Sequence, residues 1–260
     1  MRVFVFVLFI VALMGCSDDD PVATGPKLKS VTTYLLNSSG QFRPGEKTEY
    51  QYAANQKLIK DTQWQYDIAD KAYYLFSTSD YSYSGGRLVR IEKKIDQSDK
   101  IITTFEYENG RVSKIKEDNE SSVDTEAVIT YLPDDRVEIT YTQSNGRWFV
   151  YRFTFTNGNK IFEQVMGDDE QLSSEVTHEF DSGKNPLALL GYTDLFFTTV
   201  SANNKIKTES NFIKAPYPQS TPVSYSYEYT ESGYPSQQIT TYQSLGASYT
   251  TRVKVVYEYQ

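Results

Sequence analysis

Phe105-Glu106-Tyr107-Glu108-Asn109-Gly110-Arg111-Val112-Ser113-Lys114-Ile115 reads as one β-hairpin. Two aromatic residues alternate with acids, as one face of a strand requires. Asn109-Gly110 supplies the positive φ angles of a two-residue turn, and apolar and polar residues alternate again beyond it. The pattern recurs on both sides. Tyr81 and Tyr83 precede Gly85-Gly86-Arg87-Leu88, and Ile129 and Tyr131 precede Pro133-Asp134-Asp135-Arg136-Val137. Phe153 and Phe155 precede Asn157-Gly158-Asn159-Lys160-Ile161. The second aromatic positions are 83, 107, 131 and 155, an interval of 24 each time.

Weaker copies carry the repeat outward. Tyr50-Gln51-Tyr52 stands before Asn55-Gln56-Lys57-Leu58, and His178-Glu179-Phe180 before Asp181-Ser182-Gly183-Lys184. Tyr227-Glu228-Tyr229 precedes Ser232-Gly233, and Tyr257-Glu258-Tyr259 closes the chain as half a unit. Each unit holds two strands of about eight residues and two short turns. Consecutive hairpins pair with their neighbours, which predicts roughly sixteen antiparallel strands in sequence order. So long an open sheet curls or closes. The expected fold is all-β: an antiparallel meander of repeated hairpins forming a strongly curved sheet or a wide, even incomplete, barrel with aromatics inside. No apolar period of 3.6 interrupts it; Pro186 to Phe197, apolar and poor in charge, reads as a short helical or buried connection.

Turn length decides which residues share a face. A two-residue Asn109-Gly110 turn sets Tyr107 opposite Val112, whereas a bulged turn brings Ile115 onto the Tyr107 face. Both registers are open to the sequence. Arg87, Arg111 and Arg136 recur at one place in the unit, where a guanidinium can stack on a cross-strand tyrosine.

The N-terminus carries an address. Arg2 and the apolar run Val3 to Leu13 have the form of a signal peptide, and the run is short of the ~20 residues that span a bilayer. Leu13-Met14-Gly15-Cys16 resembles the lipobox of bacterial lipoproteins, which implies cleavage before Cys16 and its acylation. Acyl chains then anchor the protein through buried methylenes. The expected organisation is a lipoprotein signal peptide at 1–15, a lipidated flexible tether at 16–27 and a single repetitive β domain at 28–260. Ser17-Asp18-Asp19-Asp20 opens the tether.

Composition narrows the function. Arg2 leaves with the signal peptide, so the mature chain carries 25 basic against 34 acidic side chains. That balance argues against nucleic acid as a partner. Cys16 is the only cysteine, so lipidation leaves no disulfide and no thiol nucleophile. His178 is the only histidine and occupies an aromatic position of its repeat, where a strand role is expected. One histidine and no free thiol exclude the usual zinc sets. Asp168-Asp169-Glu170 lacks the spacing of a calcium loop and reads as a solvated turn. No phosphate-binding glycine loop is present. No cofactor is expected, and no catalytic residue can be named. Charges on both strand faces, as in Arg90-Ile91-Glu92-Lys93-Lys94, speak against a transmembrane barrel.

Trp64 and Trp148, the two tryptophans, are the candidate ligand-binding residues, beside polar or aromatic neighbours (Gln63, Gln65, Tyr66; Arg147, Phe149). The lipobox, the acidic run and the Tyr-x-Tyr…Asn-Gly-Arg-Val units together resemble the surface lipoproteins of Bacteroidetes, a family with no known reaction. Asp181-Ser182-Gly183-Lys184-Asn185-Pro186-Leu187 is similar to a stretch recurrent among them. The resemblance implies that Ser17, Asp18, Asp19 and Asp20 direct export to the outer face of the outer membrane. A fainter likeness to tyrosine-aspartate repeat proteins rests on Tyr66-Asp67 alone. The expected function is a non-enzymatic, surface-tethered binding or scaffolding lipoprotein that captures a glycan or an outer-membrane protein. The alternatives are a polysaccharide hydrolase using paired carboxylates and a purely structural envelope component.

Overall fold

The computed structural model describes residues 26–260 apart from 38, 97–98, 195, 215–218 and 244–249. The signal segment, Cys16 and Ser17 to Asp20 lie outside the described residues. The meander begins with β1 (Leu28–Leu36), β2 (Phe42–Tyr52), β3 (Leu58–Asp67) and β4 (Ala72–Ser84). It continues through β5 (Arg87–Ile95), β6 (Asp99–Glu108), β7 (Arg111–Asn119) and β8 (Thr125–Leu132). Next come β9 (Arg136–Gln143), β10 (Trp148–Thr156), β11 (Asn159–Met166) and β12 (Leu172–Lys184). After the 3₁₀ helix Pro186–Leu190 follow β13 (Asn203–Phe212), β14 (Gln219–Tyr229), β15 (Pro235–Gln243) and β16 (Thr250–Tyr259). Pro222 lies within β14, opposite Glu209.

Each strand pairs with the next, and β1 closes on β16 with Val31 opposite Tyr257 and Leu35 opposite Val253. Closure settles the choice between a curved sheet and a barrel, and it removes both exposed edges. The register combines the two turn readings. Tyr107 faces Val112 across a two-residue turn, and a bulge one step further places Phe105 opposite Ile115. Tyr83 with Leu88 and Tyr81 with Ile91 repeat the arrangement, as do Tyr52 with Leu58 and Tyr50 with Asp61. The bulge keeps both aromatics and both partners on one face, and that face is the inside.

The inner wall is apolar near the tight turns. Phe105, Ile115, Ile129, Ile139 and Phe153 are buried there in one cluster, and Leu28, Leu58 and Leu190 form a second. Tyrosine hydroxyls tie the wall to its own backbone: Tyr52 donates to the Leu28 carbonyl at 3.0 Å, Tyr107 to Leu88 at 2.7 Å and Tyr259 to Pro235 at 2.6 Å. Basic residues at strand starts lie over the next aromatic. Lys27, Lys57, Arg87 and Arg111 sit 4.9, 5.1, 5.5 and 4.9 Å from the rings of Tyr52, Tyr83, Tyr107 and Tyr131. Stacking thus accounts for Arg87 and Arg111, while Arg136 instead donates to the Pro133 carbonyl and pairs with Asp134.

The outer wall is charged. Glu92 gathers Arg90, Lys94 and Lys100; Lys116 bridges Glu106 and Glu126; Arg152 meets Glu138 at 2.8 Å.

The Pro186–Leu190 connection turns into the barrel as a plug. Leu190 packs beside Leu28 and Leu58, Tyr192 lies 5.8 Å from Tyr81, and Phe197 lies 5.7 and 5.8 Å from Phe153 and Phe155. Phe197 is 3 % exposed and holds φ at 56°, a conformation a bulky residue adopts only when packing enforces it. Truncating Phe153→Ala or Phe197→Ala should each lower unfolding free energy by about 3 kcal/mol or more. Urea titration checks this; unchanged midpoints would show that the plug does not hold the barrel.

Candidate functional site

Two places on this scaffold have the makings of a binding site. The first surrounds Trp64, which the alternation of β3 turns outward. Its indole N–H donates to Glu49 at 3.1 Å, and Glu49 is held in turn by Lys47 at 2.6 Å. Trp64 stands opposite Leu75, and Tyr66 meets Tyr73 edge to face at 5.3 Å. Tyr73, Leu75, Phe42 and Leu35 are among the large apolar side chains exposed on these first four strands. Lys254 lies over both Tyr34 and Phe42 on the adjoining wall. An exposed aromatic field on a charged exterior is unusual enough to mark a contact surface.

Trp148 is also half-buried and outward-facing, opposite Thr142 at the start of β10. Strands β3 and β10 stand seven places apart in a ring of sixteen. The two tryptophans therefore lie on opposite walls and cannot flank one ligand.

The second place is inside, between the plug and the wall from β11 to β16. A cavity of about 330 Å³ is lined there by Lys160, Lys205, Tyr225, Tyr227, Tyr257, Gln238 and the plug residues Pro186, Leu187 and Phe197. The sequence pattern hides it, because its walls come from six strands and a connection distant along the chain. Asn185 builds the plug locally. Its side chain accepts from Leu187 N–H at 3.0 Å and donates to the carbonyls of Thr198 and Ser201. Asn159 and Asn203 exchange hydrogen bonds of 2.9 Å and latch the plug's exit to the turn before β11.

Lys160 is matched within this interior. Its amine reaches Glu163 and the Phe196 carbonyl, each at 2.9 Å, and sits 4.3 Å from the Phe153 ring. Lys205, opposite Phe180, has no carboxylate within ion-pair distance among the described residues; the Tyr225 ring lies 6.0 Å away. Burial, with the Lys160 charge adding to it, pushes the Lys205 amine below its usual range.

No family model matches the sequence, nor does any curated protein. The barrel is similar to the crystal structure of a porin-like protein from Bacteroides uniformis, with a TM-score of 0.59 at 13 % identity. The likeness covers 90 % of this chain and 96 % of that one, and at this identity it is a likeness of fold.

His178 takes the aromatic position expected of it, on the inner face of β12. Nδ1 meets the Thr208 hydroxyl at 2.9 Å, and Phe180 lies 6.3 Å away. Burial first, then Lys205 and Lys160, hold it down at about 3. Asp61 accepts a hydrogen bond of 2.6 Å from Tyr81 deep in the opposite wall, and burial raises its affinity for a proton despite that bond. Among the described residues no group of acids, histidine or cysteine is arranged to hold a metal ion.

The two buried groups act oppositely on stability. His178 binds fewer protons folded than unfolded, so stability should fall as pH drops from 6.5 toward about 3. Asp61 binds more protons folded than unfolded, so its contribution is present below pH 3.8 and lost as pH rises through its folded value. The His178 ring resonances should therefore stay those of neutral imidazole at pH 5, and Asp61→Asn should stabilise the protein at pH 7 but not at pH 3. Imidazolium shifts at pH 5, or an equal Asp61→Asn effect at both pH values, would contradict this reading.

Proposed function

We propose that this protein is a non-enzymatic binding lipoprotein of the outer membrane, acylated at Cys16, whose closed barrel stands in water and captures a partner on its exterior. The observation carrying the proposal is the aromatic field around Trp64, set on a barrel whose outer wall carries ion pairs from β5 to β10. Flat rings beside Glu49 and Lys47 suit the faces and hydroxyls of sugar rings, and tyrosine and tryptophan also dominate protein contact sites. A glycan or an outer-membrane protein fits that surface. The porin-like fold supports an envelope location; Ser17 to Asp20 support an outward orientation. The outer wall supports water rather than lipid as its surroundings, since a bilayer-spanning barrel presents an apolar band there.

The chain beginning at Ser17 should be monomeric and folded without detergent, whereas a need for detergent would favour a spanning barrel. In cells, Cys16→Ala should move the protein out of the membrane fraction. A glycan array, followed by crosslinking on intact cells, identifies the partner. Trp64→Ala should weaken that binding about thirtyfold or more, the loss expected of a central aromatic, and Trp148→Ala should leave it unchanged. Full binding by folded Trp64→Ala protein would remove the β1–β4 surface from the function.

A further inference from the structure

The interior cavity is separate from the Trp64 surface and has a chemistry of its own. Its walls are largely aromatic on one side, from Tyr225, Tyr227 and Tyr257, and apolar on the plug side, from Pro186, Leu187 and Phe197. Its volume of about 330 Å³ lies at the small end of the roughly 300–1,000 Å³ typical of ligand sites. Two lysines enter it, and they are not equivalent. Lys160 has the Glu163 carboxylate and a carbonyl for its amine, whereas Lys205 has no carboxylate in ion-pair contact among the described residues, Glu163 and Asp194 acting on it only from longer range. A buried ammonium without a counter-ion is costly, and an anion entering the cavity removes that cost.

Charge fixes the class of ligand. Glu163 pairs directly with Lys160, so Lys205 is the amine left without a direct counter-ion, Asp194 acting on it only from longer range. A monoanion balances it, while a phosphate dianion leaves a buried negative charge in its place. The tyrosine walls favour a flat apolar body. We propose that the cavity binds a small aromatic carboxylate, its anionic group paired with Lys205 and its ring laid against Tyr225, Tyr227 and Tyr257. Gln238 is placed to add a polar contact, although its amide is also engaged by the Tyr257 hydroxyl at 2.8 Å and by Thr240. Burial lowers the affinity of the Lys205 amine for its proton, and a bound carboxylate raises it again by supplying the direct partner.

Calorimetry on the folded chain from Ser17 tests this with phenylacetate and indole-3-acetate against their neutral amides. The acids should bind saturably and at least about tenfold more tightly than the amides, the factor expected of one charge-assisted hydrogen bond. Lys205→Met should abolish that preference while leaving the Trp64 surface and its partner binding intact. No heat from either acid, equal affinity for acid and amide, or an undiminished preference in folded Lys205→Met would overturn the proposal. The acid–amide comparison on the unaltered protein stands even where Lys205→Met fails to fold. Because Trp64→Ala should not change acid binding, failure here is distinguishable from failure of the exterior partner.

Discussion

A sixteen-stranded wall encloses more space than its own side chains reach across, and barrels of that size ordinarily hold water in the middle. Here the chain fills that space itself, by sending the connection between β12 and β13 back inside. Much of the interior depends on this filling. Leu190 and Phe197 each join one of the two apolar clusters, and Tyr192 packs against both beside Tyr81 of the wall. The left-handed backbone of Phe197 costs about 1–3 kcal/mol, and burying its ring gains a similar amount. These effects nearly cancel, so the surrounding hydrogen bonds decide. The Asn159–Asn203 exchange and the Asn185 contacts to Thr198 and Ser201 hold the connection where the phenylalanine can pack.

Filling from within also sets which way the wall faces. In a porin-like barrel across a bilayer the outer residues are apolar and the lumen polar. This chain reverses that arrangement near its tight turns: Phe105, Ile129 and Phe153 point inward while Glu106, Thr130 and Arg152 point outward. Each exterior ion pair contributes at most about 1 kcal/mol to stability. A basic side chain facing lipid at the bilayer midplane would cost roughly 2–4 kcal/mol, so these pairs bear on which solvent the wall can face. Fold alone does not fix that solvent.

The wall was legible in the sequence because its information is local. A strand pair, its turn and its bulge lie within the 24-residue unit, so the interval from Tyr83 to Tyr107 to Tyr131 implies hairpins, strand number and the inward face. The alternative turn registers at Asn109-Gly110 could not be separated, because a two-residue turn followed by a bulge satisfies both. Closure was less legible: Leu28 meets Tyr259 across the whole domain, and no local pattern records that pairing. The two tryptophans illustrate the same limit. Their neighbours in sequence are similar, yet one lies in an aromatic field and the other on the far wall. The cavity was not legible at all, since Lys160 and Lys205 are 45 positions apart and are brought together only by the pairing of β11 and β13 with β12.

That juxtaposition is also the least expected feature of the interior on stability grounds. Repeat positions like that of Lys205, just after the turn, elsewhere face the inside with Leu88, Val112 or Val137, and an aliphatic residue would pack against Phe180 without desolvating a charge. Lys160 departs from the same pattern, but Glu163, three residues along the same strand and past its bulge, closes an ion pair of 2.9 Å. Lys205 departs from it with no such companion among the described residues. Sequences that break a local rule without a compensating partner tend to do so where function requires it. An amine left unmatched on the aromatic wall of a 330 Å³ cavity, in a barrel otherwise filled to the point of straining Phe197, is such a break. The plug could have filled this space and did not.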